Sequence, residues 1–142
     1  MTAIDTNVLV DILDAGGEAP AAAFRTIERA AAAGALLVAP VVYAELRAHP
    51  RGTREEVAAF FDALRVRVDW SLAREVWVAA GDAFALFAQR RRSSGRGEPR
   101  RLLADFVIGA HAAHSAGRLV TRDVAFYRRA FPELRVIEVA AA

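Results

Sequence analysis

Four acids stand where packing alone gives no reason for one: Asp5 in "TAIDTN", Glu45 in "VVYAEL", Asp105 in "LLADFV" and Asp123 in "LVTRDV". Each lies in or beside apolar sequence, where an unpaired ionised carboxylate is costly or takes up a proton instead. Asp5 and Asp123 have an ordinary alternative as N-caps of the helices that follow them. Glu45 and Asp105 have no capping role, and their alternative is an ion pair with one of the many arginines. If the four gather, mutual repulsion forbids the arrangement unless a cation sits among them, and hard divalent cations with oxygen ligands are the usual answer. Mg²⁺ or Mn²⁺ is therefore expected, held by Asp5, Asp105 and Asp123 with Glu45 completing the site directly or through water. A set of carboxylates without Cys or His disfavours softer metals.

Other polar residues divide into helpers and bystanders. Asn7 and Thr121, each two positions from a proposed ligand, suit hydrogen bonds that orient a carboxylate. His111 and His114 share a predicted helix with Asp105, but at about 100° per residue they point roughly 120° and 180° away from it, so they cannot join its site. Asp11 reads as part of a solvated helix face. His49, at a helix end, reads as a partner of the C-terminal dipole.

The elements that must position these acids follow from patterning. "TAID" predicts a strand, then "NVLVDILD" a helix with Asn7 as its N-cap. A second helix covers "APAAAFRTIERAAAAG", "ALLVAP" is a strand, and Pro40 opens a helix that contains Glu45. "TREEVAAFFDALR" is helical, "VRVDW" a strand, and a long helix begins at Ser71 and runs to Arg92. "LLADFVIGAHAAHSAG" is a helix closing at Gly117, followed by strand "RLVT", helix "DVAFYRRAF" and strand "RVIEV". Strands alternating with helices predict an α/β/α sandwich with a short central parallel sheet, whose ligands bind beyond the carboxyl ends of the strands. Asp5 and Asp123 both fall at such ends.

With 142 residues, 55% of them apolar, the chain is long enough for one domain with a real core, taken as residues 1–142. It contains no cysteine and no lysine, which removes disulfides, thiolate chemistry, a P-loop lysine and Schiff bases. No signal peptide is visible, and the longest uncharged stretch, Ala30 to Ala44, is too short to span a bilayer, so a cytoplasmic protein without membrane association is expected. A net charge of +2 says little, but its distribution says more. Gln89 to Arg101 holds Arg90, Arg91, Arg92, Arg96, Arg100 and Arg101 against Glu98 alone, a candidate RNA-contacting strip. Its alternative is a solvated helix end and loop. Arg122, beside Asp123, is a further candidate for a phosphate oxygen.

"DTNVLVDIL", "VVYAEL" and "LADFVIGAHAAHSAGRLVTRDVAFYRRAFPELRVI" together resemble a PIN-domain ribonuclease, specifically the VapC-like toxin of a toxin-antitoxin pair. The resemblance covers nearly the whole chain, and its last stretch is the most specific. The family's acidic quartet falls on Asp5, Glu45, Asp105 and Asp123, the set already reached from burial and strand ends. The resemblance implies metal-dependent endonucleolytic cleavage of RNA, often a tRNA or ribosomal RNA. It also implies a homodimer and a cognate VapB-like antitoxin. A haloacid-dehalogenase-type phosphatase would need an Asp where Asn7 stands, and a response-regulator receiver a lysine that the chain lacks. The remaining rival is a non-catalytic PIN-fold module that binds RNA or is sequestered by an antitoxin.

Overall fold

The computed structural model describes residues 1–14, 18–94 and 101–139. Its elements run β1 (Thr2–Ile4), α1 (Thr6–Leu13), α2 (Glu18–Ala33), β2 (Leu36–Val38), α3 (Pro40–Leu46), α4 (Arg54–Leu64), β3 (Val66–Val68), α5 (Arg74–Ser94), α6 (Leu103–Ser115), β4 (Arg118–Thr121), α7 (Val124–Ala130) and β5 (Arg135–Glu138). The strands form one sheet in the order β3-β2-β1-β4-β5, with every neighbouring pair parallel. Helices flank it, as the alternating pattern predicted.

The sequence explains most element ends. Pro40 is at the first turn of α3, where its missing N–H removes nothing. Thr53 and Glu56 close a capping box on α4. Two helix starts differ from expectation. α1 begins one residue before Asn7, with Asp5 in the N-cap position. α5 begins at Arg74 rather than Ser71 and continues through Ser94, so Arg90 to Arg92 belong to its last turns.

The strand order creates the functional geometry. β1 is central and pairs with β2 on one side and β4 on the other, so the chain's direction of travel across the sheet reverses between β1 and β4. Such a reversal opens a crevice beyond the strands' carboxyl ends. α6 supports that edge from the core. Phe106 is fully buried between Phe84, Phe87 and Phe126, whose ring centroids lie 4.9, 5.5 and 5.3 Å away. Gly109 lets the Phe131 ring approach the helix: a Cβ there would meet the ring at 2.2 Å. Among the described residues, no helix is long and apolar enough to cross a membrane.

Candidate active site

Ile4 of β1 pairs with Val120 of β4, and both strands end at the same edge. The Asp5 N–H continues the ladder, donating to the Val120 carbonyl at 3.0 Å. That fixes the Asp5 side chain at the mouth of the crevice, only 4% exposed. Although Asp5 occupies an N-cap position, its carboxylate makes no cap hydrogen bond. Instead Oδ2 accepts from the Thr121 hydroxyl at 2.7 Å. The same oxygen of Thr121 accepts from the Asp123 N–H at 2.9 Å and from Asn7 Nδ2 at 3.5 Å. One fully buried hydroxyl thus ties together the loops leaving β1 and β4. Asp123 also stands in an N-cap position without capping.

Glu45 arrives on α3, the helix after β2, and its Oε1 accepts from the Thr6 hydroxyl at 2.7 Å. Asp105 is in the first turn of α6. The four acids do not reach the site equally solvated. Burial pushes the Asp5 carboxyl up from 3.8 to about 6; the Thr121 hydrogen bond opposes the shift, and the charge of Asp105 adds to it. Asp105 is also raised, by burial first, with Arg101 pulling it down and Glu45 and Asp123 pushing it up. These couplings place Asp105 within electrostatic reach of the other three acids.

Two residues complete the picture. Arg101 donates to Asp123 through a short hydrogen bond and lies 4.0 Å from Asp105. Burial works against its charge, but the bond to Asp123 and the charges of Asp123 and Asp105 outweigh that and raise its pKa. Its guanidinium carbon also sits 4.3 Å from the centre of the Phe126 ring. Tyr127 is 1% exposed, and its hydroxyl makes no hydrogen bond of regular geometry. Burial and the charges of Asp5, Asp105 and Asp123 all raise its pKa. The buried phenol faces three carboxylates, and its hydroxyl is directed at Asp5, where it favours the ionised carboxylate.

The donor chemistry suits a hard divalent cation: carboxylates only, two of them held back from ionising by burial first and by their like-charged neighbours second. Among the described residues, however, no three acids or histidines stand close enough to close on an ion as they are, and Arg101 occupies the space between Asp105 and Asp123. A cation needs side-chain rotation and the withdrawal of that guanidinium.

The other candidates separate cleanly. Asn7 reaches Thr121 rather than a carboxylate, and its Oδ1 accepts from the Arg122 N–H at 3.4 Å. The exposed Arg122 side chain turns to the half-buried Asp11. His111 points away from Asp105 and meets Asp69 at 3.1 Å. His49 pairs with Asp14 at 2.7 Å, a carboxylate rather than a helix dipole. Arg90, Arg91 and Arg92 lie on α5. Arg96 and Arg100 lie outside the described residues. Thr6, Tyr127 and the bridging position of Arg101 were missed. Thr6 carried a signal, a hydroxyl beside Asp5 in the first turn of α1; Tyr127, inside the helix "DVAFYRRAF", carried none.

The PIN domain family model matches residues 2–132. No curated protein matches the sequence. Among solved structures, VapBC2 from Rickettsia felis, bound to a DNA fragment from its promoter, is similar with a TM-score of 0.68 and 17% identity, over 98% of both chains. VapBC-1 from nontypeable Haemophilus influenzae gives a TM-score of 0.64 at 18% identity, over 96% of both. FitAB bound to an IR36 DNA fragment gives 0.59 at 15%, over 97% of this chain and 94% of that one. At these identities the structural likeness speaks for the fold, and the family match over nearly the whole chain decides membership: the chain belongs to the PIN domain family.

Proposed function

We propose that the chain, acting as a single domain, is a metal-dependent endoribonuclease and the toxin of a VapBC-type pair. PIN domains are generally nucleases and typically use divalent metals. The observation that carries the reading is the Thr121 hydroxyl, which fixes Asp5 and the Asp123 backbone together at the sheet edge while Asp105 couples to Asp5, Asp123 and Glu45. Asp5, Asp105 and Asp123 would hold Mg²⁺ or Mn²⁺, with Glu45 bound directly or through water. The bound cation supplies Lewis acidity toward the scissile phosphate and toward water. Thr121 holds Asp5 in place, and Thr6 holds Glu45. The core around Phe106 keeps Asp105 aimed at the cleft.

The toxin role draws support from the neighbours, which are toxin-antitoxin assemblies named as VapBC and FitAB. RNA as substrate, a cognate antitoxin, a homodimer and a cytoplasmic location belong to the same reading. The non-catalytic rival takes its support from Arg101, which fills the space between two of the acids. Incubation of purified chain with total RNA in Mn²⁺ or Mg²⁺ tests both. Discrete products that vanish with chelator and in Asp105→Asn are expected. RNA binding without cleavage at any cation concentration would favour the rival.

A further inference from the structure

Beside the acidic crevice, between α5 and α7, lies a cavity of about 240 Å³ with no acid among the described residues that line it. Leu86, Phe87 and Phe126 form its apolar lining, and Arg90, Arg101 and Arg129 its charged one. Arg101 belongs to both places: it lines this cavity, stacks on Phe126 and binds Asp123. The cavity and the carboxylates are therefore adjacent rooms with one shared wall.

The volume limits the occupant. It falls below the roughly 300–1,000 Å³ of pockets for drug-sized ligands, so one ring system fits. A helix about 10–12 Å across does not. The lining limits it further. An aliphatic side chain would use Leu86 and Phe87 but would leave Arg90 and the face of the Arg101 guanidinium unused. A nucleotide uses both, because its base stacks on aromatic rings and guanidinium planes while its phosphates meet the cations. We propose that this cavity is a base-binding subsite, taking one unstacked base of a single-stranded RNA whose neighbouring phosphate enters the acidic crevice. The proposal rests on the nuclease reading for the identity of that phosphate, but the cavity's preference for a base is measurable without cleavage.

The test uses the full chain in EDTA, with alanine methyl resonances as reporters and the four nucleoside 5'-monophosphates as probes. Saturable shifts at Ala83, Ala125 and Ala130 are expected. Ala83→Trp, which fills the cavity, should abolish them, and Arg90→Ala on the rim should weaken them. In parallel, a non-cleavable 2'-O-methyl RNA hexamer should lose roughly tenfold in affinity when one base is replaced by an abasic site. Unmoved methyls, or an abasic hexamer that binds like the intact one, would overturn the subsite. So would shifts produced by N-acetylphenylalanine amide and not by nucleotides, which would assign the cavity to a side chain of a protein partner. Methyl shifts without any metal-dependent cleavage would leave the subsite standing and remove the nuclease reading. Cleavage with unmoved methyls would do the reverse.

Discussion

Helix α6 carries a buried ionisable group on one face and a half-buried one on another, and the two are solved in opposite ways. On one face His111, 1% exposed, has a single partner in Asp69. Burial lowers its pKa, and the Asp69 hydrogen bond works against that. A neutral imidazole with one acceptor is complete. On the other face Asp105 feels the charge of three more carboxylates, and one arginine serves two of the four. This side is left with an excess of negative charge: burial first raises the pKa values of Asp5 and Asp105, and the neighbouring carboxylates raise them further. Burial alone therefore does not mark a site on this helix; an uncompensated charge does.

Neutralising Asp105 should break the comparison most visibly. Asp105→Asn keeps shape and one oxygen but removes charge that a cation needs, so cleavage of RNA should fall by roughly 10²-fold or more, beyond the loss from disturbing an outer hydrogen bond. Expression without antitoxin should become harmless. In EDTA the variant should melt at or above the parent's temperature, because its pKa is raised and the ionised form is disfavoured by the fold. A metal-free variant that unfolds would make Asp105 an ordinary ion-pair partner of Arg101, like the histidine face after all.

The two faces should also answer pH with opposite signs. Asp5 titrates near 6 in the fold against 3.8 otherwise. Between those values the folded chain holds a proton that the unfolded chain has released, so stability falls as pH rises through that window. The full effect is roughly 3 kcal/mol. His111 is lowered from 6.5, so its neutral form is favoured by the fold and stability is lost as pH falls below 6.5. Urea unfolding of the metal-free protein at pH 4.5 and 7 should show Asp5→Asn gaining on the parent at pH 7 and about a third as much at pH 4.5. An equal gain at both would mean that Asp5 is not held by its surroundings as described.

His111→Leu should give the complementary, smaller result. Asp69 is 34% exposed at its side chain and can turn to water, so the change in stability at pH 7 should stay within about 1 kcal/mol. Sensitivity to acid should diminish, and RNA cleavage should match the parent. Lost cleavage in a folded His111→Leu protein would tie the two faces together and contradict their independence.

How much of this was legible follows the physics of each residue. Strand ends and helix periodicity are local, so the parallel sheet and the arrival of Asp5 and Asp123 at one edge could be read directly. Thr121 was legible too, since a small hydroxyl beside a strand-end acid has few other uses. The helix starts were less so: Asn7 and Ser71 are good caps by type, yet α1 begins at Thr6 because the Asp5 N–H is already committed to β4. Pairings of long side chains were not legible. Arg122 with Asp11, and Arg101 with Asp123, depend on where loops from distant segments converge, with 111 and 22 positions between partners. Tyr127 is core, and nothing local marks it, because its hydroxyl faces acids brought there by tertiary structure.

The finest test of the comparison is Arg101, which pairs with Asp123 and lies 4.0 Å from Asp105. If the crevice differs from the His111–Asp69 pair because its charge awaits a cation, the guanidinium is a temporary counter-ion and competes with the metal. Arg101→Met removes the charge while retaining a flexible apolar side chain against Phe126. Apo stability should then drop, since Asp123 loses its partner and Asp105 a neighbour 4.0 Å away. Affinity for Mn²⁺, measured by calorimetry without RNA, should rise by roughly two- to fivefold, the size expected of a partly exposed ion pair. The two changes have one cause: the same repulsion that weakens the empty fold favours the ion. A variant that loses stability and Mn²⁺ affinity together would show instead that Arg101 organises the carboxylates, and the crevice would then resemble the histidine face, with its charges satisfied from within.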